Sequence, residues 1–286
     1  MNKRTLKNDF LEIEYLTHSL RITGLTPVGK PNLLADISDS PPIPTPYGDF
    51  HFSGGHRLWH APEAMPRTYI PDTPVTITEL SDGVILEAQT ELGTSIRKRI
   101  EIHIAPDKPS VTLTHTLIND GMWAVELAPW AITQFRLGGM VILPMPVGNV
   151  DPAGLLHNRQ FAFWPYTRIN DPRLNLGDDF VLFKADALVP PFKLGYFNSH
   201  GWMSYWLDGV LFRKTFDSQK DLTYPDNNCN AEMYCNNKFV ELESLAPLVK
   251  LEPGASIHHG EVWDIFYDLD SLPEELRQSK LFNNGS

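Results

Sequence analysis

Apolar and polar residues alternate in short runs along nearly the whole chain, and this period of two restricts the fold more than any other feature. In TSIRKRIEIHI, Ile96, Ile100, Ile102 and Ile104 fall on one face, while Arg97, Arg99, Glu101 and His103 fall on the other. VILEAQ precedes that run across TELG and reads as the first arm of a hairpin. SVTLTHTLI places Val111, Leu113, His115 and Leu117 together, so His115 reads as a core histidine. WAVELAPWAITQF, DFVLFKA, PFKLGYF, GWMSYWL, VLFRKTF, AEMYC, FVELESL and IHHGEVWDIFYDL continue the series, and FLEIEYLTHSLRITGLTPVG reads as two strands near the start. Only SLPEELRQSKL reads as a helix, with Ser271 and Glu274 as a capping box and Pro273 in its first turn. Many strands with one short helix near the C-terminus predict an all-β, antiparallel sandwich or barrel. With no repeat or linker, the 286 residues are expected to form one domain, 1–286.

Charge and short motifs exclude several function classes. A formal charge of -11 argues against nucleic acid and anionic membranes, whose phosphates need clustered Lys and Arg, and suits a neutral or cationic partner. MNKRTLKNDFLEIEYL lacks an apolar h-region, and nowhere do enough apolar residues run together to span a bilayer. Cys229 and Cys235 are the only cysteines and fit a reducing compartment, so a cytoplasmic location is expected. Their spacing is no redox or zinc pattern. The chain has no G-x-S-x-G elbow, Walker loop or G-x-G-x-x-G, which leaves nucleophilic hydrolases, NTPases and nicotinamide enzymes unsupported and no cofactor expected.

Two segments break the strand rhythm. One runs from about Asp36 to Pro71 and holds DSPPIPTPYGD and GGHRLWHAPE; the other holds FWPYTRINDPRL. Long loops in compact proteins often form binding walls. Trp164 and Tyr166 offer flat faces to sugar C–H groups, and Arg168, Asp171 and Arg173 offer directional hydrogen bonds. The same residues equally describe an aromatic plug pinned by surface ion pairs. His51, His56 and His60 lie near one another and His258 and His259 are adjacent, neither group with a zinc spacing, so no metal site is expected.

FVELESL carries the strongest candidate chemistry. On a strand, Glu241 and Glu243 share a face with Phe239 and Leu245, and Val240 and Leu242 share the other, which predicts cover on both sides. The two carboxylates would stand ~7 Å apart. Buried without a partner, such a group has a raised pKa suited to acid–base work; facing solvent, or paired with Arg or Lys, it does not.

FVELESLAPLVKLEPGASIHHGEVWDIF resembles the closing segment of the galactose mutarotase-like (aldose 1-epimerase) superfamily. There a strand with a catalytic glutamate is followed by a proline, a turn matching Leu251–Gly254 and a last strand, here with Glu261 and Trp263. THTLINDGMWAVELAPWAITQF is similar to the strand pair that leads to that superfamily's catalytic histidine. GGHRLWHAPE, WPYTRINDPRL, GWMSYWLDGVLFRKTF and YPDNNCNAEMYCNNKFVELESLAPL resemble a bacterial branch of it, a domain of unknown function. The likeness runs from about Gly54 to Phe266.

The resemblance implies an antiparallel β supersandwich and a small carbohydrate ligand in a concave cleft, in a monomer or homodimer. It places the catalytic glutamate at Glu243 or Glu241, with Glu243 slightly favoured. No histidine stands between Trp130 and Gln134, where the superfamily's falls. An epimerase of this kind would take its acid from His56, His200, Tyr224 or an arginine-bound water. Arg57, Trp59, Trp164, Tyr166, Arg168 and Tyr224 are the expected substrate contacts. Gly54 and Gly55 would let the backbone before Arg57 approach a ligand closely. The alternative is a noncatalytic sugar-binding module that kept the cleft and lost the histidine.

Overall fold

A computed structural model describes residues 3–145, 151–188, 190–267 and 269. The period-two runs form two ten-stranded antiparallel sheets and one small hairpin, Ile43–Thr45 with Gly48–Phe50. The first sheet centres on His56–Ala61, Val125–Phe135, Val240–Leu245, Ala231–Cys235 and Phe192–Tyr196, hydrogen-bonded in that order. The second contains Val210–Phe216, Ser256–Phe266, Ser110–Asn119 and Ile96–Ile104 as successive neighbours. Together they make the sandwich expected from the alternation.

The inner faces follow the predicted parity. Ile96, Ile100, Ile102, Val111, Leu113, His115 and Leu117 are buried, whereas Arg97 and Arg99 are half-exposed and ion-paired, Arg97 with Glu87 and Asp120, Arg99 with Glu101. A charged face on one side and an apolar face on the other is what a strand covered on one side requires. The helix expected over 271–281 lies outside the described residues. Among the described residues, helical geometry is confined to the turn Arg67–Tyr69 and the segment Pro225–Asn228. In the latter Asp226, Asn227 and Asn228 are left-handed, with φ of 51°, 60° and 69°. Asp and Asn tolerate that region better than other side chains. No helix is long and apolar enough to cross a membrane.

The layer between the sheets is not purely apolar. Lys214 Nζ lies 2.9 Å from Glu261 Oε1 and donates to the Leu242 carbonyl at 3.0 Å. Trp263 Nε1 donates to Glu261 Oε2 at 2.8 Å, and Ser244 Oγ donates to Oε1 at 2.5 Å. His259 Nε2 in turn donates to Ser244 at 2.7 Å. A second chain starts where His115 Nδ1 donates to the His259 carbonyl at 3.0 Å. That bond makes His115 Nε2 an acceptor, so His56 donates to it through Nε2 at 2.7 Å and accepts from Thr133 Oγ1 at Nδ1, 2.9 Å away. Burial holds His56 and His115 below the usual histidine range and lowers His259 to about 3. All three are therefore neutral at pH 7.

A buried ion pair is tolerated because each partner neutralises the other, and removing one leaves an uncompensated charge. Lys214→Met is expected to cost about 3–5 kcal/mol in urea denaturation. The double variant Lys214→Met/Glu261→Gln should recover a substantial part of that loss.

Candidate functional site

Strand parity decides which side chains reach the outer face of the first sheet. Arg57 pairs across with Ile132, Ile132 with Glu243, and Glu243 with Glu232. Gln134 pairs with Glu241, Glu241 with Tyr234, and Tyr234 with Lys193. Directly opposed residues share a face, so these two rows lie side by side on one surface. The alternate residues, including His56, Thr133 and Leu242, point the other way into the sandwich. FVELESL is accordingly buried on both sides along Val240–Leu245.

Over these rows lies a cavity of about 460 Å³, large enough for a small ligand. Its walls are strongly aromatic: Trp59, Trp130, Trp164, Tyr69, Tyr166 and Tyr234 all line it. Glu241, Arg57 and Lys193 supply charge at its floor.

Glu241 is held by two donors at one oxygen. Arg57 Nη2 approaches Oε1 at 3.1 Å, and Gln134 Nε2 donates to the same atom at 2.8 Å. Oε2 is thus the oxygen left for the cavity. Burial and the neighbouring Glu243 raise Glu241, against the pull of Arg57 and Lys193, to about 7. A carboxyl titrating there exchanges protons readily at neutral pH. Arg57 is buried, stacks over Trp59 at 4.2 Å, and among the described residues finds no hydrogen-bond partner for Nε or Nη1.

Glu243 sits deeper and is fully buried. Its Oε2 accepts from Trp130 Nε1 at 2.8 Å and from Lys193 Nζ at 3.0 Å. Lys193 also forms an ion pair with Glu232 Oε2 at 2.7 Å, and its ammonium lies over the rings of Trp164 and Trp130 at 4.6 and 4.9 Å. Burial alone would lower the Lys193 pKa, but Glu232 and Glu243 outweigh it and hold the amine well above its usual range. Glu232 is raised well above the carboxylate range by burial, with Glu243 and Asp226 adding to the effect and Lys193 opposing it.

The structure brings Glu241, Arg57, Trp59, Trp164 and Tyr166 together around one cavity, with Glu243 beneath its floor. Four expectations are corrected. His56 does not reach the cavity, because the residue before Arg57 on a strand must face the opposite way. His56 also lies within 4.8 Å of His115 and Glu261. There its ring nitrogens are taken by Thr133 and His115, and Glu261 is already neutralised by Lys214. Tyr224 is buried away from the cavity, against Phe197, with its hydroxyl accepting from the Gln219 N–H at 3.0 Å. Arg168 is exposed on the loop and, like His200, does not line the cavity. Finally, Gly54 and Gly55 admit no ligand: a Cβ on them would meet the carbonyl oxygens of Ala35 and Ile22 at 2.2 and 2.0 Å. The polar half of FWPYTRINDPRL pins the loop, since Arg173 grips Asp171 at 2.8 and 2.9 Å and donates to the carbonyls of Asp186 and Pro190.

Lys193, Gln134, Glu232 and Trp130 are site residues that sequence reasoning missed. The available signal was PFKLGYF, where a lysine interrupts a run that is buried on both parities. A lysine so placed needs a carboxylate partner.

The sequence matches no protein family profile and no curated protein. Solved structures do match. A galactose mutarotase-like protein from Lactobacillus casei superposes with a TM-score of 0.64 at 11% identity, covering 93% of this chain and 100% of that one. A provisionally assigned aldose 1-epimerase from Escherichia coli K12 gives 0.56 at 14%, covering 93% and 99%. A galactose mutarotase related enzyme from Lactobacillus acidophilus gives 0.54 at 6%, covering 95% and 99%. The chain therefore has the galactose mutarotase-like fold.

Glu241 also sets a pH dependence. Its folded pKa, about 7, lies above the ordinary 4.5. The folded protein therefore binds an extra proton between those values, and the stability this contributes is present below about 4.5 and lost as pH rises through about 7. Relative to wild type, Glu241→Gln is expected to gain roughly 3 kcal/mol between pH 4.5 and 7.5 in denaturation series.

Proposed function

We propose that this chain, built on the galactose mutarotase-like fold, binds a small carbohydrate in the aromatic-walled cavity and interconverts its anomers by acid–base chemistry without a cofactor. The observation that carries this reading is the state of Glu241. It is a cavity-lining carboxyl raised to about 7, with one oxygen anchored by Arg57 and Gln134 and the other free.

A base in that position takes the proton from the anomeric hydroxyl. The C1–O5 bond opens, the C1–C2 bond rotates, and the ring recloses on the other face of C1. Tryptophan faces suit the C–H surface of a sugar, and the charged groups of Glu241 and Lys193 beside them suit its hydroxyls. The fold neighbours support a carbohydrate-related role, since several are named as mutarotase- or epimerase-like.

A second reading, a noncatalytic sugar-binding module, is favoured by one observation: among the described residues no histidine lines the cavity.

NMR exchange spectroscopy of aldoses with added protein separates the two. Catalysis predicts faster anomer exchange, lowered about 100-fold or more by Glu241→Gln, in line with the usual contribution of a positioned base. Saturation transfer from protein to sugar without faster exchange would leave the binding module, and no transfer from any aldose would remove both readings. Trp164→Ala should weaken binding about tenfold, read by titration of intrinsic tryptophan fluorescence, in keeping with the worth of an aromatic stacking contact.

A further inference from the structure

Anomer exchange needs a second group, one that gives a proton to the ring oxygen as the C1–O5 bond breaks. His56 faces the wrong side of its strand, and His200 and Tyr224 stand outside the cavity. We infer that Lys193 is this proton donor, with Glu232 and Glu243 holding its ammonium at the cavity floor. The assignment rests on the epimerase reading.

The geometry is that of an acid and a base facing a shared space. Lys193 and Glu241 both line the cavity and both stand opposite Tyr234, one strand to either side of it. The ammonium rests on Glu243, whose Cα lies ~7 Å of strand rise from that of Glu241, the base. The anomeric hydroxyl and the ring oxygen are both bonded to C1, so one sugar carbon set between the two groups presents O1 to Glu241 and O5 to Lys193. Lys193 has three N–H donors. One goes to Glu243 at 3.0 Å, the ammonium is ion-paired with Glu232 at 2.7 Å, and no further acceptor is found for it among the described residues. The two rings beneath the ammonium, Trp130 and Trp164, are themselves cavity walls.

The step balances on these groups alone. Glu241 Oε2 takes the proton of the anomeric hydroxyl, and the O–H electron pair becomes the second bond of C1=O. The C1–O5 pair moves onto O5, which takes a proton from Lys193 Nζ. The protein now holds a neutral amine and a carboxylic acid, and the sugar is an open-chain aldehyde. Reclosure reverses each transfer and returns both groups to their starting states. An ammonium held above its usual range by its acidic neighbours still suffices, because the departing C5 oxygen is an alkoxide, far more basic than an amine.

The test measures exchange of D-glucose, D-galactose and 5-thio-D-glucose by wild type and Lys193→Arg. Arginine keeps the positive charge on Glu232 and Glu243 but does not release its proton. The expected result is a fall in kcat for the oxygen sugars of about 100-fold or more, with KM changed less than about threefold. The thio sugar should lose less than about tenfold, because its ring sulfur departs as a weakly basic thiolate that needs little help from an acid. Undiminished kcat in Lys193→Arg, or equal losses for ring oxygen and ring sulfur, overturns the assignment and leaves the epimerase reading intact. Absence of exchange by wild type overturns both. If Lys193→Arg lacks a native near-ultraviolet circular dichroism spectrum, Lys193→Met/Glu232→Gln removes one charge of each sign and carries the same comparison.

Discussion

Charges buried on both faces of the strand Val240–Leu245 hold the middle of this molecule together. On its outer side Glu241 meets Arg57 and Glu243 meets Lys193; on its inner side the Leu242 carbonyl and Ser244 meet Lys214 and Glu261. Each of these contacts is at 3.1 Å or less. Isolated ions would not survive at such burial, so the partners determine where neighbouring strands must sit. Lys193 arrives from Phe192–Tyr196, Arg57 from His56–Ala61 and Lys214 from the opposite sheet. One strand thereby ties both layers to the floor of the cavity.

This arrangement separates chemistry from scaffolding by a single residue of parity. His56 and Arg57 are adjacent, yet one belongs to a neutral histidine chain inside the sandwich and the other to an ionised cavity floor. The fold itself decides little about activity, since unrelated reactions share scaffolds. The composition of the floor carries the chemistry: Ile132 and Gln134 occupy the cavity face of a strand without a histidine, and a lysine bound to two acids stands three strands away.

The sheets were legible because strands covered on one side advertise their two faces, as in Ile96–Ile104 with its buried isoleucines and paired arginines. Glu241 and Glu243 were legible for a related reason, as two carboxylates on one parity of an otherwise apolar run. GGHRLWHAPE resisted reading because all six residues of His56–Ala61 are buried. A strand covered on both faces shows no alternation, and without it the sides taken by His56 and Arg57 were not visible. Arg168 and Tyr224 lie in irregular segments, where no period specifies direction. Lys193 was hidden by its partners, since Glu232 and Glu243 are close to it only after three strands have paired.

The trio of Lys193, Glu232 and Glu243 also constrains descent. Replacing Lys193 first leaves two acids at the cavity floor without their cation, whereas replacing one acid first leaves a neutral pair, so only some stepwise routes to an apolar floor pass through well-folded intermediates. A lineage then keeps the lysine for as long as it keeps both acids. Among distant relatives whose overall identity has decayed, joint presence of these residues would mark common ancestry of the site more durably than the surrounding sequence does.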